Sequence, residues 1–109
     1  MKYNLFLYGT IEGDDITSSF KYGDVISSAS GVSLKMGQIF MMSENTARVT
    51  ILVHGLKRSS IEDLISESQT DYFSFWELFR DYIGLEINDK IEIRGKVFNI
   101  NIYEYSYEQ

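Results

Sequence analysis

Hydrophobic and polar residues alternate with the period of a β-strand in the first half of the chain and again near its end. Residues 46–54 show this most clearly, because Ala47, Val49, Ile51 and Val53 are separated by more polar side chains. Residues 2–11 and 32–42 are also strand-like, and the short polar link 43–45 predicts a hairpin between 32–42 and 46–54. The alternation in 91–94 and 97–103, on either side of Gly95 and Lys96, predicts a second hairpin.

Two single glycines, one long segment and the C-terminal tail interrupt or end this pattern. Gly9 and Gly37 lie inside predicted strands, where an isolated glycine indicates a bend or a bulge. Residues 16–30 have no clear period and are interpreted as a loop or a short hairpin arm. The polar and aromatic tail 103–109 is interpreted as a frayed continuation of the last strand.

Residues 59–84 form the only stretch with a helical period. Ser59 and Glu62 have the spacing of a capping box, and the polar residues 68–70 predict a break or a second start. A stripe of large apolar side chains follows the break, and Gly84 is a suitable C-cap because glycine tolerates the left-handed conformation. The stripe consists of Tyr72, Trp76, Phe79 and Ile83, widened by Phe75, Leu78 and Tyr82.

The order of three strands, a helix and two strands predicts an α+β, mostly β domain that spans residues 1–109. It is the order of the OB-fold, a small five-stranded barrel with a helix between strands 3 and 4. In this interpretation the aromatic helix closes one end of the barrel. The alternative is an α+β sandwich, with the helix across one face of an antiparallel sheet.

Composition narrows the class of protein. The chain has 109 residues, of which 44% are hydrophobic and 15% aromatic, values typical of a packed domain rather than a disordered one. No apolar run is long enough to cross a membrane, and the N-terminus is better interpreted as a strand than as a signal peptide. The absence of cysteine fits a reducing compartment, so we expect a cytoplasmic protein.

Three segments resemble the matching parts of bacterial and phage single-stranded DNA-binding proteins and of the related primosomal proteins. They are YNLFLYGTI at 3–11, RVTILVHGLK at 48–57 and DYIGLEINDKIEIRGKVF at 81–98. The resemblance implies a barrel that binds single-stranded DNA in replication or repair, as a homodimer or higher oligomer. The chain departs from the family in residues 12–31, in its longer helical region and in having no long tail with an acidic tip.

Charge is distributed unevenly along the chain. Residues 1–58 contain six basic and five acidic side chains, whereas residues 59–109 contain four basic and eleven acidic ones. An acidic helix face is typical of a solvated surface that keeps a protein soluble. It also allows a second hypothesis, an acidic protein-interaction module such as a phage-encoded inhibitor or an immunity-type protein, which would bind a basic partner.

Single-stranded nucleic acid is bound by aromatic platforms for the bases and by cations along the backbone. In an OB-fold the ligand crosses the face of strands 2 and 3 and the nearby loops. We therefore predict nine nucleic-acid-binding residues, although Tyr22 and Phe40, taken individually, are more often core residues. The nine are Tyr22, Lys35, Phe40, Arg48, His54, Lys57, Arg58, Arg94 and Lys96.

Enzymatic function has little support in the sequence. His54 is the only histidine, no cysteine nucleophile is present, and no glycine-rich stretch has the spacing and lysine of a phosphate-binding loop. The acidic cluster 12–15 has no closing glutamate at the distance that a calcium loop requires. We therefore predict a non-enzymatic protein without a cofactor or a bound metal.

Overall fold

A computed structural model describes residues 4–16, 21–26 and 32–108. It contains six strands and two helices: β1 (Asn4–Glu12), β2 (Val25–Ile26), β3 (Ser33–Met41), β4 (Thr46–His54), α1 (Arg58–Ser68), α2 (Tyr72–Ile83), β5 (Asn88–Ile93) and β6 (Lys96–Glu108). Residues 2 and 3 of the predicted first strand, most of the predicted arm 16–30 and residue 109 lie outside the described residues.

The strands form one antiparallel sheet in the order β2-β3-β4-β1-β6-β5. The sheet curls until its edge strands β2 and β5 lie beside each other, which gives a nearly closed barrel. The prediction of a small, mostly β barrel is confirmed. The description as five strands with one helix is wrong, because within the described residues β2 gives six strands and two helices lie between β4 and β5. The break predicted at 68–70 is confirmed, since α1 ends at Ser68 and α2 begins at Tyr72.

The barrel core follows from the alternation read in the sequence. On β4, Ala47, Val49, Ile51 and Val53 are buried, and β1 buries every second residue in the same way. β3, β5 and β6 follow the same alternation over part of their length. Both predicted irregularities occur, since the register shifts between Tyr8 and Gly9 and again between Met36 and Ile39, around Gly37. At Gly9 a Cβ atom would lie 2.5 Å from the carbonyl oxygen of Asn101, so only glycine allows this approach of β1 to β6.

α1 adds Ile61 and Leu64 to this core, and α2 adds aromatic side chains. Phe75, Phe79 and Ile83 of α2 are fully buried, and the ring of Phe75 stacks on Tyr105 of β6 with centroids 4.2 Å apart. Tyr105 lies opposite Leu7, and α1 begins four residues after β4 ends. The helices therefore pack at the end of the barrel where β1 begins and β4 ends. Neither helix has the length and apolar character needed to cross a membrane.

The helix ends and the last hairpin correct three predictions. α1 begins at Arg58 with Lys57 as its N-cap and no side-chain cap, so the capping box at Ser59 is wrong, whereas Gly84 ends α2 in the left-handed conformation as predicted. The tight turn lies at Arg94–Gly95, one residue before the predicted position, because both residues adopt the positive φ of a type I′ turn. The tail is not frayed, because β6 pairs with β1 as far as Glu108.

Candidate functional site

A groove of about 570 Å³ crosses the outer face of β3, β4 and β1. Its floor contains Phe6 and Tyr8 of β1 and Leu52 of β4, which are half-buried because they belong to the outward-facing set of their strands. The remaining lining residues come from β3, from the end of β4 and β6, and from the turn before β2. They are Tyr22, Gly23, Lys35, Met36, Gly37, Gln38, Thr50, His54 and Glu108.

The groove continues into a smaller hollow of about 110 Å³ towards the β3–β4 turn. The two share Tyr8, Gln38 and Thr50, and the hollow adds Phe40, Arg48 and Tyr103 to the lining. We refer to the groove and the hollow together as the outer groove. It therefore extends from Tyr22 at one end to Phe40 at the other.

Strand register explains why these side chains share one face. Lys35 lies opposite Leu52, and Leu52 lies opposite Phe6, so the three form one row across β3, β4 and β1. The shift at Gly37 changes which residues of β3 point outward, so Phe40 comes to lie opposite Arg48. Without this bulge, the alternation that exposes Lys35 would place Phe40 on the inner face.

Exposed rings stand at both ends of the outer groove. Tyr22 is 78% exposed and Phe40 is 70% exposed, so the expectation that they belong to the core is wrong. Tyr103, 54% exposed, is the extra residue of β6 where its register with β1 shifts. Exposed rings of this size are available to a planar ligand, because no part of the described chain covers them.

Two cations of the outer groove, Lys35 and Arg48, are exposed to solvent. Neither makes a salt bridge within the described residues. The carboxylate of Glu108 lines the groove near His54 and lowers the positive potential at that end. The Tyr8 hydroxyl and Ser106 Oγ are 2.9 Å apart, a hydrogen bond that holds the Tyr8 ring in the floor.

The fold brings five of the nine predicted residues together and leaves four elsewhere. Tyr22, Lys35, Phe40, Arg48 and His54 all line the outer groove. The remaining four lie outside it: Lys57 and Arg58 at the start of α1, and Arg94 and Lys96 at the β5–β6 turn.

Among the outlying cations, Arg58 and Arg94 are paired with carboxylates. Arg58 Nε lies 2.9 Å from Glu62 Oε1, one helical turn away. Arg94 Nη2 lies 2.6 Å from Asp24 Oδ1. The side chain of Asp24 is only 11% exposed, whereas that of Arg94 is 51% exposed. Burial alone would raise the pKa of Asp24. Hydrogen bonds from the Lys21 backbone amide and the Arg94 guanidinium, together with the positive charges of the Arg94 and Lys21 side chains, lower this pKa overall.

Of the outer-groove residues that sequence reasoning missed, four offer large apolar or aromatic side chains to a ligand: Phe6, Tyr8, Leu52 and Tyr103. Phe6, Tyr8 and Leu52 alternate with the buried residues of their strands, so the strand period in the sequence could have placed them on the outer face. Tyr103 could not be found in this way, because its exposure depends on the register shift opposite Gly9. Within the described residues, no group of three or more histidine or acidic side chains is placed to hold a metal ion.

Comparisons with protein-family models, with curated proteins and with solved structures gave no match for this chain. The function must therefore be argued from the geometry and the charges of the outer groove.

Proposed function

We propose that this protein binds single-stranded nucleic acid, DNA in the first instance, along the outer groove and without catalysis. The observation that supports the proposal most is the convergence of five predicted residues on one continuous surface. They come from sequence positions between 22 and 54 and from three separate elements, yet they line the same groove.

The chemistry of the groove suits a flexible polyanion. Tyr22, Phe40 and Tyr103 present rings on which bases can stack, and each stacked base contributes about 1–3 kcal/mol regardless of its identity. Lys35 and Arg48 supply cations for the phosphates, and neither has to break a salt bridge with another described residue in order to bind. We therefore expect binding with little sequence preference.

The proposal includes the resemblance to single-stranded DNA-binding proteins but does not depend on it. Within the described residues the barrel has six strands, all paired antiparallel, and two helices, so it departs from the five-stranded OB pattern. The proposed function thus rests on the outer groove itself.

The expected homodimer is part of the same proposal and is tested by sedimentation with and without the oligonucleotide.

Fluorescence anisotropy of a labelled oligothymidine at 50 and 200 mM salt tests the proposal. We expect binding in the micromolar range or tighter at low salt, weakening as salt rises because phosphate contacts release counterions. A labelled duplex of the same sequence is the control, since its bases cannot reach the exposed rings. Absence of binding to the single strand at 50 mM salt would refute the proposal.

An acidic protein-interaction module is the second candidate function. Glu77 and Asp81 of α2 are exposed, lie four residues apart on one side of the helix and have no cation partner among the described residues. By contrast, Glu62 and Glu86 are paired with arginines, and Asp63 accepts a hydrogen bond from the Tyr82 hydroxyl. Titration with a labelled oligolysine peptide tests this candidate, because binding that is lost in Glu77→Lys with Asp81→Lys would assign it to this face.

A further inference from the structure

The barrel has one seam within the described residues, where β2 and β5 lie side by side without forming a ladder. The β5–β6 turn places Arg94 at this seam. Its guanidinium Nη2 donates a hydrogen bond of 2.6 Å to Asp24 Oδ1, across 70 residues of sequence. This ion pair therefore links the turn before β2 to the opposite edge of the barrel.

Asp24 is held from several directions at once. Its Oδ2 accepts a hydrogen bond of 2.8 Å from the Lys21 amide, and its own amide donates to the Lys21 carbonyl at 3.1 Å. Its carbonyl accepts from the amide of Met36 on β3 at 2.7 Å. Asp24 thus joins a tight turn, β3 and the β5–β6 turn at one point.

The turn that Asp24 closes also presents Tyr22 to the outer groove. Residues 21–24 form the turn, and Gly23 adopts a φ of 88° at its third position, as a type II turn requires. Tyr22 and Gly23 line the groove, but 78% of Tyr22 is exposed, so packing of its own ring contributes little to its position. The position of the ring is therefore determined by the turn and by what holds the turn.

We propose that the Asp24–Arg94 ion pair positions Tyr22 at the end of the outer groove, so that closing the barrel seam and completing the binding surface are one event. Arg94 is then a positioning residue, although the sequence analysis predicted that it contacts the phosphates of the nucleic acid. The link to ligand binding rests on the proposed function, whereas the positioning of Tyr22 is a property of the free protein. By linkage, a ligand that contacts Tyr22 stabilises the closed seam.

The positioning is tested first without any ligand. Trypsin cleaves after Lys21 only when the 21–24 turn opens, because the bond must leave the turn to enter a protease site. We expect Arg94→Gln to accelerate cleavage at Lys21–Tyr22 about three- to ten-fold, as followed by the mass of fragment 1–21. Arg80→Gln is the matched control, because it removes an arginine from another ion pair, with Glu86, and leaves the turn intact.

Two further variants distinguish loss of the ion pair from a general loss of structure as the cause of faster cleavage. Arg94→Lys keeps the positive charge and should restore part of the protection. Asp24→Asn keeps a hydrogen-bond acceptor for the Lys21 amide but loses the charge, so its cleavage rate should fall between those of wild type and Arg94→Gln. Unchanged cleavage in folded Arg94→Gln and Asp24→Asn would overturn the inference, whatever the ligand results.

The coupling to binding is then measured by anisotropy with labelled oligothymidine in two backgrounds. If Arg94 acts through Tyr22, Arg94→Gln weakens binding about three- to ten-fold in the wild type and has no further effect in Tyr22→Ala. An equal loss in both backgrounds would show that Arg94 contacts the ligand directly and would overturn the coupling. If wild type does not bind while Arg94→Gln accelerates cleavage, the proposed function fails and the positioning of Tyr22 stands.

Discussion

The outer groove and the helical pair α1–α2 use the same kinds of side chain in opposite ways. In the helical pair, Arg58 and Arg80 are paired with Glu62 and Glu86. In the outer groove, Lys35 and Arg48 have no such partner within the described residues. An ion pair satisfies both charges locally, so a cation becomes available to a ligand only where the fold keeps carboxylates away from it.

The aromatic residues show the same contrast. Phe75 of α2 is fully buried and stacked on Tyr105, whereas Phe40 of β3 is 70% exposed. Position in the fold, rather than clustering in the sequence, separates these rings, since Tyr72 and Phe73 of the same helical cluster are exposed and Phe98 on β6 is buried. The first three predictions below compare a change in the outer groove with a matched change outside it, and the last concerns the barrel seam.

The largest expected effect is on stability, from truncation of the buried ring. Phe75→Ala should lower the free energy of unfolding by about 3–5 kcal/mol, because it removes a large apolar side chain and leaves a cavity in the core. The same substitution at Phe40 should cost less than about 0.5 kcal/mol, since the ring is already in contact with water. Urea unfolding followed by circular dichroism measures both. Similar midpoints for the two variants would contradict the assignment of α2 to the core.

The next largest effect is on ligand binding. Here a substitution in the outer groove should have a larger effect than one in the helical pair. Phe40→Ala should weaken binding of oligothymidine by about 1–3 kcal/mol, the contribution of one stacked base. Phe73→Ala is the matched control, because that ring is 76% exposed but lies on α2, away from the outer groove. If both variants lose the same affinity, stacking is not localised on the barrel face.

The strand alternation was enough to predict the barrel and its inward face. It could not give β2, because a two-residue strand has no period, and its partner β3 determines it through Val25–Lys35 and Ile26–Leu34. The start of α1 was also missed, since Ser59 has the right residue type but lies one position inside the helix. Local signals thus identified the long elements, whereas pairing with β3 determines the short strand.

The candidate site was predictable to the extent that it followed the same alternation. Lys35, Arg48 and His54 were found because they lie on outward-facing positions of long strands. Arg94 was assigned to the same site by charge alone, and its pairing with Asp24, 70 residues away in the sequence, could not be read from either segment. The sequence gives the sign of a charge, whereas the fold determines whether that charge is already paired with an opposite charge of the same protein.

Removal of the groove cations should have a smaller effect that depends on salt. Lys35→Gln with Arg48→Gln should weaken oligothymidine binding about ten-fold at 50 mM salt. It should also reduce the slope of log affinity against log salt by about 1.4, because each phosphate contact to a single strand contributes about 0.7. Arg80→Gln with Lys90→Gln makes the same change in net charge outside the groove, so an equal loss in that control would mean that only net charge matters.

The smallest expected effect is the pH dependence of the seam. The pKa of Asp24 is lower in the folded protein than its ordinary value of 3.8, so the carboxylate stabilises the fold above pH 3.8. That contribution is lost as the pH falls through the folded-state pKa, because protonation removes the charge that faces Arg94 and Lys21. Wild type should therefore melt at a higher temperature than Asp24→Asn at pH 6, and the difference should shrink towards pH 3. A difference that stays the same from pH 6 to pH 3 would mean that the charge of Asp24 does not stabilise the seam.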